Sequence, residues 1–140
     1  MGIIEDLIRE RKLRSIAKDK EKSDQSIKIA EAKLATAREL AKAGFYEQAV
    51  LSSYTSMFHV ARALLYRDGM QEKSHYAVYV YLKEKYSSDI TLSLIESFLS
   101  HQNERKEILY GFGYDVTENE AISCIEDAEE FLGKITRLLK

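Results

Sequence analysis

The chain has 140 residues, 45% hydrophobic and 31% charged, with no proline, one cysteine and a formal net charge of −2. That length favours a single domain with its own core, and the lack of proline favours unbroken helices. A near-neutral balance excludes coating nucleic acid by bulk charge, and a single cysteine excludes an internal disulfide and fits a reducing, cytoplasmic setting.

Residues 3 to 14 place Ile3, Ile4, Leu7, Ile8 and Arg11 on one side of a short amphipathic helix, too short to be stable unless docked. Residues 17 to 26 hold no periodic apolar side chain and read as a loop or an exposed helical extension. From Asp24 to Ala43 the series Ile27, Ala30, Leu34, Ala37, Ala41 is helical, with small residues that permit close packing, and Gly44 ends it. Phe45 opens the next helix at once, so a tight antiparallel hairpin is expected.

The stretch from Phe45 to Gly69 is the longest uninterrupted helical pattern. Val50, Tyr54, Met57, Phe58, Ala61, Leu64 and Leu65 share one apolar sector, and Ser52, Thr55, His59, Arg62 and Tyr66 form a second stripe. Two organised faces predict a central helix with neighbours on both sides. Ser74 can cap a helix from His75 to Tyr86, although AVYVYL by propensity reads as strand; with no partner strand in view, no β-sheet is expected. Ser88 or Asp89 is expected to start the next helix, with Leu94, Phe98, His101, Arg105 and Leu109 on one face, until Gly111 and Gly113 end it. Thr117 and Glu120 form a capping box for a last helix carrying Ile122, Ile125, Ala128, Leu132, Ile135 and Leu139. The expected fold is all-α, an up-and-down bundle of about five helices plus a short N-terminal one.

Charge is unevenly spread. Arg9 to Lys22 holds seven cations against three anions, while Asp115 to Glu130 holds seven anions and no cation. Solvated helix faces explain this simply, and a docking polarity for a partner is the sharper reading. No apolar run approaches the ~20 residues needed to cross a bilayer, and Asp6 stands where a myristoylation signal from Gly2 needs Ser or Thr, so no membrane role is expected. Three scattered histidines and Cys124 show no metal-ligand spacing, and neither metal nor cofactor is expected.

The segments K-L-R-S-I at 12 to 16, A-V-L-S-S-Y-T-S-M-F-H-V-A-R-A-L-L at 49 to 65, E-K-S-H at 72 to 75, R-K-E-I-L-Y-G at 105 to 111 and A-E-E-F-L at 128 to 132 together resemble the HEPN family over nearly the whole chain, as one domain spanning 1 to 140. The resemblance implies a helical bundle that usually dimerises and is often encoded beside a small nucleotidyltransferase in toxin and antitoxin pairs. Many such proteins are metal-independent RNases.

The RNase members share an Arg, a spacer of four to six residues and a His. Here Arg105 fits the first position and Lys106 to Leu109 the spacer, but Tyr110 replaces the His, and Phe112 stands where one subgroup has a Tyr. Cleavage through the 2′-hydroxyl needs a base and a cation to hold the developing phosphorane charge. Arg105 suits the second task. A phenol with pKa near ~10 against ~6.5 for imidazole is ready about one time in a thousand at pH 7, a deficit of about 5 kcal/mol. His101, one turn before Arg105, and Tyr110 are therefore the alternative bases. Arg105, Arg62 and His59 are the candidate nucleotide or RNA contacts. His101 and His59 also read simply as hydrogen-bonded bundle residues, and His75 as a helix-start group bonding nearby backbone. Three functions compete: a nucleotide- or RNA-binding partner of a nucleotidyltransferase, an RNase toxin with an unorthodox base, and a non-catalytic interaction module. A homodimer through the second stripe or through the His101 to Arg105 helix is expected in each.

Overall fold

The computed structural model describes residues 2–112 and 115–140. Six helices follow in order: α1 (Ile3–Arg9), α2 (Lys20–Lys42), α3 (Tyr46–Asp68), α4 (His75–Ile90), α5 (Leu92–Tyr110) and α6 (Glu118–Leu138), with two short strands, β1 (Leu13–Ser15) and β2 (Met70–Glu72). The expected bundle of five substantial helices and a short first one is therefore present, with α3 at its centre.

Helix α3 begins and ends where its pattern does. Gly69 caps its C-terminus at φ +81, in the left-handed region that an L side chain resists, and the amide of Gly69 bonds back to the carbonyl of Tyr66. Helix α2 starts earlier than its apolar period suggests. Asp19 accepts a hydrogen bond from the Lys22 amide and caps it, so the polar stretch from Lys20 onward is helix. Gly44, at φ +84, makes the turn into α3.

The α2–α3 hairpin is held more closely than a leucine seam would allow. Ser23, Ser26, Ala30, Ala37, Ala49, Ser53 and Ser56 are all buried. The hydroxyls of Ser52, Ser56 and Ser23 donate to the carbonyls of Lys33 at 2.7 Å, Ala30 at 2.6 Å and Ala63 at 2.8 Å. As positions rise on one helix they fall on the other, which is the antiparallel register. Small side chains bring the backbones together, and serine adds hydrogen bonds that alanine cannot.

On the other side of α3, Tyr54, Met57, Leu64 and Leu65 meet Leu82 of α4, Ile95 and Phe98 of α5 and Phe131 and Ile135 of α6, all fully buried in one core. The rings of Tyr54, Phe98 and Phe131 stack in series, at centroid distances of 5.5 and 5.1 Å.

Three local expectations are corrected. A two-stranded antiparallel sheet exists, pairing Leu13 with Glu72, Arg14 with Gln71 and Ser15 with Met70. It forms because Leu13 is pulled into the core and the chain on either side runs extended past the end of α3, where the Ile16 amide donates to the carbonyl of Gly69. The AVYVYL stretch is helical, as expected, within α4. Helix α4 is broken at Tyr86 (φ −130, ψ 17), where its end was expected, but α5 is capped at Thr91 and not at Ser88 or Asp89, and the fully buried Ile90 carries the chain inward before it starts. Thr91 adopts φ +88 and caps α5 through its hydroxyl. Finally, α1 stops at Arg9, and Arg11, at φ +63, turns the chain away from helix. Gly111 ends α5 as expected, and Gly113 lies outside the described residues.

Among the described residues no helix is long and apolar enough to cross a membrane.

Candidate functional site

Helices α3, α4 and α5 converge on a polar cluster at one edge of the core. Its centre is Tyr54, whose ring is buried and whose hydroxyl lies 2.9 Å from His75 Nδ1 and accepts a hydrogen bond from Gln102 Nε2 at 3.1 Å. Burial pushes the Tyr54 phenol up to about 12, with the Gln102 hydrogen bond and the Arg105 charge opposing the rise. Burial also lowers the His75 imidazole below its ordinary range, and the charges of Arg105, Lys106 and Arg62 lower it further. A protonated phenol beside a neutral imidazole defines the bond: Tyr54 donates to His75 Nδ1, which leaves Nε2 carrying the ring hydrogen.

His75 is also stacked on Phe58 at 4.1 Å between centroids. One helical turn beyond Phe58, the Arg62 guanidinium lies 5.8 Å over the Phe58 ring and 5.3 Å over the Tyr66 ring, and donates to the Tyr66 hydroxyl. Arg62 Nε is 2.9 Å from Glu72 Oε1, close enough for an ion pair, yet its hydrogen points off the oxygen and makes no hydrogen bond. The other Glu72 oxygen, Oε2, is buried without a partner. Phe58, Arg62, Glu72, Lys73, Ser74 and His75 line an open groove of about 350 Å³. Lys73 is shared with an adjoining groove between Arg11 and Arg14.

Arg105 sits at the rim of this cluster, its guanidinium 6.0 Å from the centre of the Tyr54 ring. It makes no ion pair and no hydrogen bond with any described residue, and it is only partly exposed. A cation held over an aromatic face without a carboxylate is available to an incoming anion.

The other sequence-derived candidates divide. His59 lies edge-on to Phe58 at 6.0 Å, and burial first, then Arg62 and Lys33, lower its pKa; its Nδ1 is buried without a partner. It therefore belongs to the same edge as Arg62. Tyr110 is 75% exposed at the end of α5, beside Leu109 and a fully exposed Phe112. His101 faces α6. Its Nδ1 lies 3.1 Å from Glu104 Oε1 and its Nε2 2.8 Å from Asp127 Oδ2. Burial alone would lower its pKa, but contacts with Cys124, Glu104 and Asp127 override burial and hold it at about 11. An imidazolium with both nitrogens bonded to carboxylates has no lone pair with which to accept a proton.

Sequence reasoning set His75 aside, and it assigned Tyr54 to the core and passed over Gln102. The available signal was the E-K-S-H segment, whose His lies next to an N-cap: Ser74 Oγ does accept from the Ala77 amide, and His75 bonds to α3 instead of to nearby backbone.

The family model described as the HEPN domain matches residues 23–138. This chain belongs to the HEPN family. It is 33% identical over 110 residues to a "UPF0332 protein" of Archaeoglobus fulgidus, covering 77% of this chain and 87% of that one. It is 32% identical over 124 residues to a protein of Methanocaldococcus jannaschii named "Putative toxin", covering 81% and 86% respectively. The all-α bundle implied by the resemblance is the one described above, with α1, β1 and the first three residues of α2 lying ahead of the family match.

Proposed function

We propose that this HEPN protein is the toxin-like member of a two-component pair with a small nucleotidyltransferase, and that it binds RNA through the edge formed by Arg105, Arg62, His59 and His75. The observation that carries the reading is the convergence of Arg105, Lys106 and Arg62 on His75, beside a groove with an aromatic wall at Phe58. Cations that match phosphate oxygens next to a stacking ring are the elements of single-stranded nucleic-acid recognition. The shared Lys73 extends the cationic surface toward Arg14 and Arg11, a path that suits several linked phosphates better than one mononucleotide. The name of the Methanocaldococcus relative supports the toxin-like part of the reading. A cytoplasmic homodimer is the form in which we place it, with the exposed Leu109, Tyr110 and Phe112 at the end of α5 as its contact.

Cleavage, where it occurs, is weak. Tyr110 in the motif position is a poor base, and His101 has no free nitrogen. His75 is neutral but spends Nδ1 on Tyr54. The test is binding and hydrolysis of a labelled single-stranded RNA in chelator. Wild type should bind and cleave slowly, Arg105→Ala should bind more weakly and lose cleavage, and Tyr110→His should raise cleavage within the roughly 10² to 10⁴ range of a general base. Rapid wild-type cleavage that is lost in His75→Ala but kept in His101→Ala favours the RNase reading with His75 as base. RNA binding unchanged in both Arg105→Ala and Arg62→Ala refutes the site.

A further inference from the structure

Away from that edge, α5 and α6 bring a second group of side chains together. His101 and Glu104 stand three residues apart on α5, and Cys124 and Asp127 three apart on α6, so each helix presents a pair on one face. One donor atom each from His101, Glu104 and Cys124 lie within 4.8 Å of one another. His101 uses its two nitrogens differently: Nδ1 meets Glu104, and Nε2 meets Asp127.

We propose that His101 Nδ1, Glu104 and Cys124 Sγ form a binding site for a borderline divalent metal of the Zn²⁺ class, with Asp127 orienting the imidazole from behind. The donor set decides the class. One imidazole, one carboxylate and one thiolate suit Zn²⁺ or Co²⁺, whereas Mg²⁺ and Ca²⁺ take oxygen alone. In a tetrahedral Zn²⁺ site, bond lengths of about 2.0–2.3 Å put donors roughly 3.4–3.6 Å apart. The three donor atoms already lie within 4.8 Å of one another, with His101 Nδ1 and Glu104 Oε1 3.1 Å apart, so closure asks for side-chain adjustment and no movement of a helix. Asp127 completes the pattern, because a metal-bound His characteristically donates its other ring N–H to a carboxylate that fixes the ring. Binding displaces the Nδ1 proton and the thiol proton, both released to solvent, and water takes the fourth position. The metal would tie α5 to α6 and so hold the segment of α5 that carries Arg105.

The probe is Co²⁺ added to chelator-stripped protein and followed by absorbance. Wild type should take up one ion per chain and develop a thiolate-to-Co²⁺ charge-transfer band, which only Cys124 can supply since it is the single cysteine. Zn²⁺ should then displace Co²⁺ and abolish the band. Cys124→Ala should lose it while circular dichroism stays helical. Asp127→Asn, which keeps the buried core intact, should weaken Co²⁺ affinity roughly 10- to 100-fold without removing the band. Absence of the band in folded wild type, or its persistence in Cys124→Ala, would overturn the site. Either result leaves the RNA-binding edge to be judged by its own assay.

Discussion

At the scale of single residues, the protonation of His75 reports on the candidate site. Its pKa is depressed by burial and by Arg105, Lys106 and Arg62, so the unfolded chain binds the proton more readily than the folded one. The sign follows: stability rises with pH through the window below the ordinary ~6.5 and is lost as pH falls through it, with His59 acting in the same direction. A bound phosphate offsets the three cations and should raise the His75 midpoint. Proton NMR of the imidazole with and without a short oligonucleotide measures both effects, and an unmoved midpoint would place the ligand elsewhere. Arg105→Ala, by removing one phosphate contact, should weaken RNA binding about 10- to 100-fold and reduce the salt slope by about one. Titration of binding against salt in the two proteins reads that difference.

Elements hold these residues in place. Gly69 is the junction between α3 and β2, and two constraints meet there: its positive φ, and the carbonyl oxygen of Ile16 only 2.9 Å from where a Cβ would stand. Gly69→Ala should destabilise the protein by about 1–3 kcal/mol and loosen the β1–β2 pair that carries Lys73. Denaturant melts measure the first and amide hydrogen exchange at Ile16 the second. Gly44→Ala makes the natural comparison, because its φ is equally positive but nothing lies within 4 Å of the added atom. Gly69→Ala should therefore cost more. On the other face, Phe98→Ala empties the middle of the Tyr54, Phe98, Phe131 stack and should cost about 3–5 kcal/mol, while displacing the Tyr54 hydroxyl that positions His75.

For the whole molecule, the charge asymmetry is answered in part within the chain. Acidic α6 meets cationic or hydroxyl partners within the chain, Arg38 to Glu129, Tyr46 to Glu118 and His101 to Asp127, and the basic segment is partly paired locally, Lys20 with Asp24 and Arg9 with Asp6. The second stripe of α3 is likewise covered from within at Ser52, Arg62 and Tyr66. At and just beyond the end of α5, Leu109, Tyr110 and Phe112 are exposed apolar side chains, as Tyr76 is beside His75. Tyr110→Glu with Phe112→Glu should convert the proposed homodimer to a monomer, read by light scattering across micromolar concentrations. A wild type that scatters as a 16.1 kDa particle throughout defeats that proposal.

Sequence alone determined the helices and their order, because apolar period, capping residues and the positive-φ glycines at 44 and 69 are local properties that one stretch of chain expresses by itself. It also singled out Arg105, Arg62, His59 and His101. Tertiary structure decided what each of them touches. The i, i+4 relation of His101 and Arg105 suggests a shared site, yet one is bonded to Asp127 of α6 and the other stands over Tyr54 of α3, since a residue's partners on a packed helix come from whichever neighbour covers its side. His75 enters for the same reason, through a hydrogen bond spanning 21 residues. The short sheet was beyond the reach of propensity: two three-residue strands have no period to read, and they pair only because Leu13 is drawn into a core built by helices elsewhere in the chain.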